Sequence, residues 1–350
     1  MSFHIDPDIT RARTLPARFY RDPVVYDAVR EQVFARSWQW AGDLADVAAP
    51  GTVAPRILCP GLLDEAVLLA RDTLGTLRCL SNVCTHRGHP VCAAPGAHDQ
   101  LRCPYHGRRF GLDGRLLAAP GFDGAHDFPG PGDHLPQLAF GEAFGLAFAS
   151  LAPALPFERW LGRLSERIAL QPMAHDPARD RDYEFDAHWA LYVENYLEGL
   201  HIPFMHPGLT NTIDWKAYRY ELFDHGNLQI AQARAGEPAF DEGTAAVYAW
   251  LFPNLMLNFY PWGLSLNIVQ PLGPARTRVS FRSYVARPEL LGQGAGGALD
   301  QVELEDEAAV QAVQRAGIAS RLYDSGRYAP AHERGVHQFH RLLAAALAAT

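Results

Sequence analysis

The sequence predicts an α+β protein, with a small all-β domain ahead of a larger domain in which an antiparallel sheet packs on helices. Three observations carry this. From Trp38 to about Ser150, short apolar runs are cut by Gly, Pro and Asp, the texture of short strands joined by tight turns. Beyond it, candidate strands from Trp215 to Val285 precede two helical patterns, an order that suits a segregated α+β design. A chain of 350 residues also exceeds the usual single core and favours two domains.

In chain order, residues 22–38 carry Val25, Val29, Val33 and Phe34 at helical spacing behind Asp22, a suitable cap. Strand runs follow at Ala66–Ala70, Leu101–Cys103 and Phe144–Phe148, with a turn at Leu112-Asp113-Gly114-Arg115. Pro153–Pro156 reads as a linker and Phe157–Ala169 as a helix. A strand is expected near Tyr183–Phe185 and a helix from about Ala190. Alternation at Arg278-Val279-Ser280-Phe281-Arg282 marks a late strand. The Gly-rich stretch 292–297 reads as a flexible loop, and helices close the chain over Val302–Ala316 and Glu333–Ala348. The resulting division is 1–37, a helical segment packing on the larger domain, then 38–152 and 157–350.

Composition narrows the class. A net charge of −8 without a basic run argues against a nucleic-acid partner. No stretch is apolar enough to span a membrane, and Met1–Arg30 lacks a signal-peptide core, so the cytoplasm is the expected compartment. Of five cysteines, Cys59, Cys79 and Cys92 read as small buried residues rather than a disulfide framework.

Cys84-Thr85-His86 and, after sixteen intervening residues, Cys103-Pro104-Tyr105-His106 pair one thiol with one imidazole in each of two short loops. Cys-x-His with Cys-x-x-His is the layout of a Rieske [2Fe–2S] centre, in which two thiolates hold one iron and two histidines the other. A structural zinc site would use the same donors. Zinc ribbons and fingers, however, repeat Cys-x2-4-Cys or end in His-x3-5-His, and neither occurs here. The Gly and Pro flanks suit sharp turns that aim backbone N–H groups at sulfur. The respiratory Rieske subtype carries an extra Cys in each loop, where this chain has Gly88-His89 and Pro104-Tyr105.

A second constellation lies in Glu194–His206. His201 and His206 are five apart, a separation that turns roughly 140° on an ideal helix. Pro203 between them is expected to break the helix and let His206 swing towards His201. Two histidines with a carboxylate suggest the facial triad of non-haem Fe(II) oxygenases. The third ligand is expected late in the chain, with Asp306 the candidate. Glu303, Glu305 and Glu307 read equally well as a solvated, dipole-stabilising first turn.

Together these motifs resemble the α subunit of Rieske non-haem iron oxygenases, the ring-hydroxylating oxygenase family. The resemblance runs through Leu15-Pro16-Ala17-Arg18-Phe19-Tyr20, Trp38-Gln39, both Cys/His loops, Asn195–His206 and the tail with Glu305-Asp306 and Val313-Gln314. It implies a Rieske domain joined to a helix-grip (SRPBCC/START-like) catalytic domain. It implies that Cys84, His86, Cys103 and His106 bind the cluster, that His201, His206 and Asp306 bind mononuclear iron, and that Asn195 belongs to the site. Head-to-tail homotrimers are also implied, with Glu198 bridging from His106 of an adjacent subunit to its own His201. Most ring-hydroxylating members place Asp at that bridge. Glu198 is similar to members that oxidise quaternary ammonium compounds such as carnitine. The family's usual Trp after Cys-Pro-Tyr-His-Gly is Arg108, which with Arg109 is expected to shape a partner surface or subunit contact.

The implied activity is O2-dependent hydroxylation or demethylation of a small molecule, with electrons drawn from NAD(P)H through a separate reductase or ferredoxin. No Gly-x-Gly-x-x-Gly follows directly on a strand, so nicotinamide binding in this chain is not expected. Two alternatives stand beside it: an aromatic-ring dioxygenase, and an electron carrier using the cluster alone. The second half contributes Trp189, Tyr192, Phe204, Tyr248, Trp250, Phe252, Phe259, Tyr260 and Trp262. These would cage an ammonium group, line an apolar slot, or fill the core.

Overall fold

Asp22 caps the N-terminal helices as its position suggests, accepting a hydrogen bond from Val24 N at 2.9 Å with Pro23 in the first turn. In the computed structural model, which describes residues 2–168, 172–240 and 243–348, these helices are α1 (Ala17–Arg21) and α2 (Pro23–Val29). The expected helix over 22–38 is shorter, because α2 widens into a π turn over Arg30–Phe34 that buries Val33 and Phe34. The chain forms two compact units, Ala35–Phe157 and a second made of Met1–Phe34 with Glu158–Thr350.

The Ala35–Phe157 unit contains β1 (Gln39–Asp43), β2 (Thr52–Leu58), β3 (Glu65–Arg71), β4 (Leu77–Ser81), β5 (Gly96–Ala97), β6 (Leu101–Arg102), β7 (Arg109–Phe110), β8 (Leu116–Ala118), β9 (Ala139–Ala143) and β10 (Leu146–Ser150). They form antiparallel sheets ordered β1-β10-β9, β4-β3-β2-β5 and β6-β7-β8. Gly114, at φ +83°, makes the turn into β8 in the left-handed region that favours glycine. Leu68, Leu80, Leu101, Phe110 and Leu112 form a core that also holds Cys84, Cys92 and Cys103. Two Cys-bearing loops therefore rise from a rigid base.

In the larger unit, the helix expected over 157–169 divides into α3 (Phe157–Leu161) and α4 (Leu164–Arg167), and Ala169 lies outside the described residues. Gly162 causes the break, with φ +60° and a Cβ position only 2.5 Å from the Phe223 ring. Next come β11 (Ala174–His175), β12 (Arg181–Phe185), α5 (Trp189–Tyr196), α6 (Ile202–Met205) and α7 (Pro207–Thr212). The sheet is completed by β13 (Ile213–Phe223), β14 (Gly226–Ala233), β15 (Thr244–Leu251), β16 (Leu255–Tyr260), β17 (Gly263–Gly273) and β18 (Arg276–Val285). It runs β11-β18-β17-β16-β15-β14-β13, with β12 also on β18. Two helices, α8 (Leu299–Val313) and α9 (Arg334–Ala348), end the chain. No helix among the described residues is long and apolar enough to cross a membrane.

Sheet register builds one polar row. Tyr220 pairs Gln229, which pairs Tyr248, then Asn258, then Ser265. Paired residues project to the same side, so five strands supply consecutive polar positions. The row is tied to α5, whose Tyr196 O accepts from Gln229 Nε2 at 2.6 Å and whose Tyr196 OH donates to Asn258 Oδ1 at 2.7 Å.

The 292–297 segment is not the loose loop its glycines suggest. Gly294–Gly296 makes a 3-10 turn with Ala295 and Gly296 buried. A Cβ on Gly296 would lie 2.3 Å from Trp262 Nε1 and 2.8 Å from the Tyr260 ring. Here glycine serves close packing rather than mobility.

Candidate active site

The two Cys/His loops are built alike. In each, the Cys carbonyl accepts from the glycine four residues on: Gly88 N to Cys84 O at 2.9 Å, Gly107 N to Cys103 O at 3.1 Å. In each, the Cys N–H donates five residues ahead, to His89 O and Arg108 O, both at 2.9 Å. Gly88 and Gly107 sit at φ +72° and +74°, so both turns require the left-handed region. The loops face each other, with the His86 and His106 rings 4.5 Å apart.

This donor set fits a [2Fe–2S] cluster. Cys84 and Cys103 are buried and free of disulfides. His86 Nδ1 is buried without a hydrogen-bond partner. Burial pushes the Cys84 thiol up, the His86 backbone N–H that points at its sulfur opposes this, and the neighbouring Cys103 thiol adds to the rise. The Cys84 and Cys103 side chains are neighbours and the His86 and His106 rings are 4.5 Å apart, so the two thiols and two imidazoles supply the two-sulfur, two-nitrogen donor set that a Rieske cluster takes.

The second constellation also converges, by a different route from the one expected. The helix bearing Asn195 ends at Tyr196, and His201 and His206 flank the separate four-residue turn α6. Pro203 does not break that turn. It sits in the first turn, where its missing N–H is needed by no carbonyl. His206 N closes the turn on Ile202 O at 3.0 Å. The two histidine rings end 5.0 Å apart at 83°.

Helix α8 supplies the carboxylate. Donor atoms of His201, His206 and Asp306 all lie within 4.8 Å of one another, a two-nitrogen, one-oxygen set that suits non-haem Fe(II). Asp306 Oδ1 is 3.0 Å from His206 Nε2 and 3.7 Å from His201 Nε2. It also accepts from Asn195 Nδ2 at 2.6 Å. Glu198 Oε1 accepts from His201 Nδ1 at 2.6 Å, while its other oxygen receives the N–H groups of Leu200 and His201. Burial lowers the His206 pKa, but Asp306 and Glu305 outweigh it and the net shift is upward.

The acidic run on α8 is not a solvated first turn. The helix begins at Leu299, so the run falls in its second turn and divides its tasks. Asp306 joins the histidines, whereas Glu305 Oε2 takes His206 Nδ1 at 2.6 Å. Glu303 is only 3% exposed and accepts from Tyr192 OH at 2.5 Å.

A cavity of about 100 Å³ reaches the three candidate ligands, lined by Tyr192, Tyr196, Tyr218, Tyr248, Tyr260, Asn258 and Glu303 among others. That is well below the ~300 Å³ at the lower end of drug-sized pockets. Tyr248 is central, its ring 6.4 Å from Tyr196 and Tyr218 and 5.9 Å from Tyr260.

Residues 37–129 match the family model for the Rieske [2Fe-2S] domain, and residues 173–349 match that for the ring hydroxylating alpha subunit (catalytic domain). The chain belongs to the Rieske non-haem iron oxygenase α subunits. Such an oxygenase is an oxidoreductase that uses O2 and reductase-supplied electrons with a [2Fe–2S] cluster and mononuclear iron. Members of the family work with a separate reductase and form oligomers. The oxygenase is 32% identical to choline monooxygenase from Arabidopsis thaliana, over 97% of this chain and 84% of that protein. It is 30% identical to the carnitine monooxygenase oxygenase subunit of Escherichia coli (strain K12), over 95% and 93%. A solved quaternary ammonium Rieske monooxygenase, described with carnitine oxidation and inter-subunit electron transfer, superposes with a TM-score of 0.78 at 26% identity, covering 97% of this chain and 96% of that one.

Two features of this oxygenase depart from expectation. Arg108 is not a surface residue but 3% exposed. Its Nη1 donates to Thr85 Oγ1 at 3.0 Å and lies 3.4 Å from Asp133 Oδ1, while its guanidinium stacks on Phe122 and Phe128 at 4.4 and 5.2 Å. It thus ties the second Cys/His loop to the first. Of the aromatic residues singled out in the sequence, only Tyr192, Tyr248 and Tyr260 line the cavity. Trp189, Trp250 and Trp262 are buried, and Phe204 is 82% exposed. Tyr196, Tyr218 and Asn258 went unremarked. No periodic signal marks Asn258, since β16 (Leu-Met-Leu-Asn-Phe-Tyr) is buried throughout; a lone Asn inside an apolar strand run is the feature that could have drawn attention to it.

Proposed function

We propose that this oxygenase hydroxylates or demethylates a small quaternary ammonium compound. The observation that carries the reading is a cavity walled by five tyrosines that ends at His201, His206 and Asp306. Tyrosine faces attract a cation by roughly 0.5–2 kcal/mol per contact. A small volume suits a compact substrate better than a fused ring system. The likeness to choline and carnitine monooxygenases supports the same class.

In this reading Cys84, His86, Cys103 and His106 hold the [2Fe–2S] cluster, and His201, His206 and Asp306 hold the iron. When bound, the cluster stores single electrons and the iron supplies the place where O2 is reduced and a substrate C–H bond is hydroxylated. The chain's own residues do the positioning. Glu198 fixes His201 through Nδ1, leaving Nε2 to face the cavity. Glu305 fixes His206 in the same way, and Asn195 steadies Asp306. The tyrosines orient the cation and limit the water that shares the cavity. A head-to-tail homotrimer in the cytoplasm, supplied by an NAD(P)H-dependent reductase or ferredoxin, completes the proposal, with Glu198 the bridge towards a neighbouring subunit.

Oxygen uptake with a surrogate reductase tests it, comparing choline, carnitine and an aromatic acid. Uptake stimulated by an ammonium compound, and abolished by His201→Ala, is expected. Stimulation by the aromatic acid alone would replace this reading with a ring dioxygenase. Unchanged turnover in His201→Ala would remove the iron site from the chemistry.

A further inference from the structure

Glu303 shares the cavity with the candidate iron ligands but takes no part in holding them. It stands one turn before Asp306 on α8, so both project to the same face. Its Oε2 accepts from Tyr192 OH at 2.5 Å, whereas its Oε1 is buried with no hydrogen-bond partner. A carboxyl that is 3% exposed, in the cavity wall and with one buried oxygen unpartnered, is a costly arrangement unless a ligand completes it.

We propose that Glu303 binds the positive charge of the substrate, with its open oxygen set against the ammonium group and Tyr192 holding the other. The inference rests on the reading that this cavity takes a quaternary ammonium compound, and it assigns the charge recognition to one residue. The tyrosines alone would favour any molecule with a polarised surface. A carboxylate adds a preference for a full cation over a neutral molecule of the same shape. Among the described lining residues there is no Lys or Arg, and Glu303 is the lining carboxyl that pairs with neither His201 nor His206, which leaves it free for a cation. Burial holds the Glu303 pKa well above the usual carboxylate range, the Tyr192 hydrogen bond opposes this, and Asp306, Glu307 and Asp300 add to the rise. A cation beside the open oxygen pulls the other way, because it favours the charged form.

The test is calorimetric binding to the iron-loaded oxygenase, wild type and Glu303→Gln, of choline and of 3,3-dimethylbutan-1-ol, which replaces the charged nitrogen by carbon. Iron content and circular dichroism establish that the isosteric variant is intact. Choline affinity is expected to fall at least about tenfold in Glu303→Gln, the loss of a charge-assisted contact, while affinity for the neutral alcohol holds or rises. Glu303→Asp should fall between. Equal changes for both compounds, or undiminished choline binding, would overturn the role of Glu303 and leave the ammonium reading standing. Binding of an aromatic acid but of no ammonium compound would overturn both.

Discussion

Glu198 accepts the Nδ1–H of His201 at 2.6 Å, and the same carboxylate gathers the backbone N–H groups of Leu200 and His201. One side chain thus sets both the tautomer of a candidate ligand and the course of the backbone that carries it. The His tautomer that results leaves Nε2 toward Asp306. Partners of this kind beyond the metal typically matter by about 10–100-fold in affinity or activity. Glu198→Gln should keep the fold and most of the iron, yet lower turnover by at least about tenfold. Iron analysis run beside oxygen uptake checks this, and full activity in that variant would remove Glu198 from its proposed bridging role.

Asp306→Ala should empty the iron site without touching the Cys/His loops, because the two lie in separate compact units. Iron per chain is expected to fall by the mononuclear share while the visible absorbance of the cluster persists. Glu305→Ala should do less, since Glu305 meets only the far nitrogen of His206.

Arg108 gives a prediction about the cluster rather than the substrate. A guanidinium buried beside Thr85 favours the added electron of the reduced state, and the Asp133 partner at 3.4 Å is itself partly exposed and screened. Arg108→Met should move the reduction potential to more negative values and shorten the lifetime of the cluster's visible spectrum in air. Arg108→Lys should recover part of the potential. A redox titration in which Arg108→Met matches wild type would refute the electrostatic part.

His188 makes stability depend on pH. It is 1% exposed, its Nδ1 accepts from Ala190 N at 3.2 Å at the start of α5, and burial lowers its pKa from 6.5 to about 3. The unfolded chain takes up a proton below pH 6.5 that the folded chain refuses. The stabilising contribution is therefore complete above that value and is lost as the pH falls, by about 2 kcal/mol at pH 5. Urea midpoints measured between pH 7 and 5 should decline, and His188→Asn should flatten the decline. An unchanged slope in that variant would assign the loss to other groups.

Much of this was legible before any coordinates. The candidate ligands that lie two or three residues apart, Cys84 with His86 and Cys103 with His106, announce themselves because each pair sits in one short loop. The strand run from Trp215 to Val285 was readable for the same local reason. What depends on long loops was not. Asp306 is a hundred residues from His206, and only the sheet and α8 select it over Glu303, Glu305 and Glu307. The burial of Arg108 needs Phe122, Phe128 and Asp133 to fold back over it. Pro203 was misread because a proline that starts a turn and one that breaks a helix look alike in sequence. The glycines of 292–297 misled in the same way, since tight packing and mobility both call for a missing side chain.

The placement of Glu303 and Asp306 on one helix fixes a length. Three residues of α-helix advance about 4.5 Å along the axis, so the carboxyl proposed to bind the charge and the candidate third iron ligand are separated by a single turn. A substrate anchored at the first can offer to the second only atoms close to its nitrogen: an N-methyl group, or a carbon one or two bonds away. Carbons farther down a chain would overshoot. The pitch of α8 then acts as a ruler for which C–H bond is oxidised.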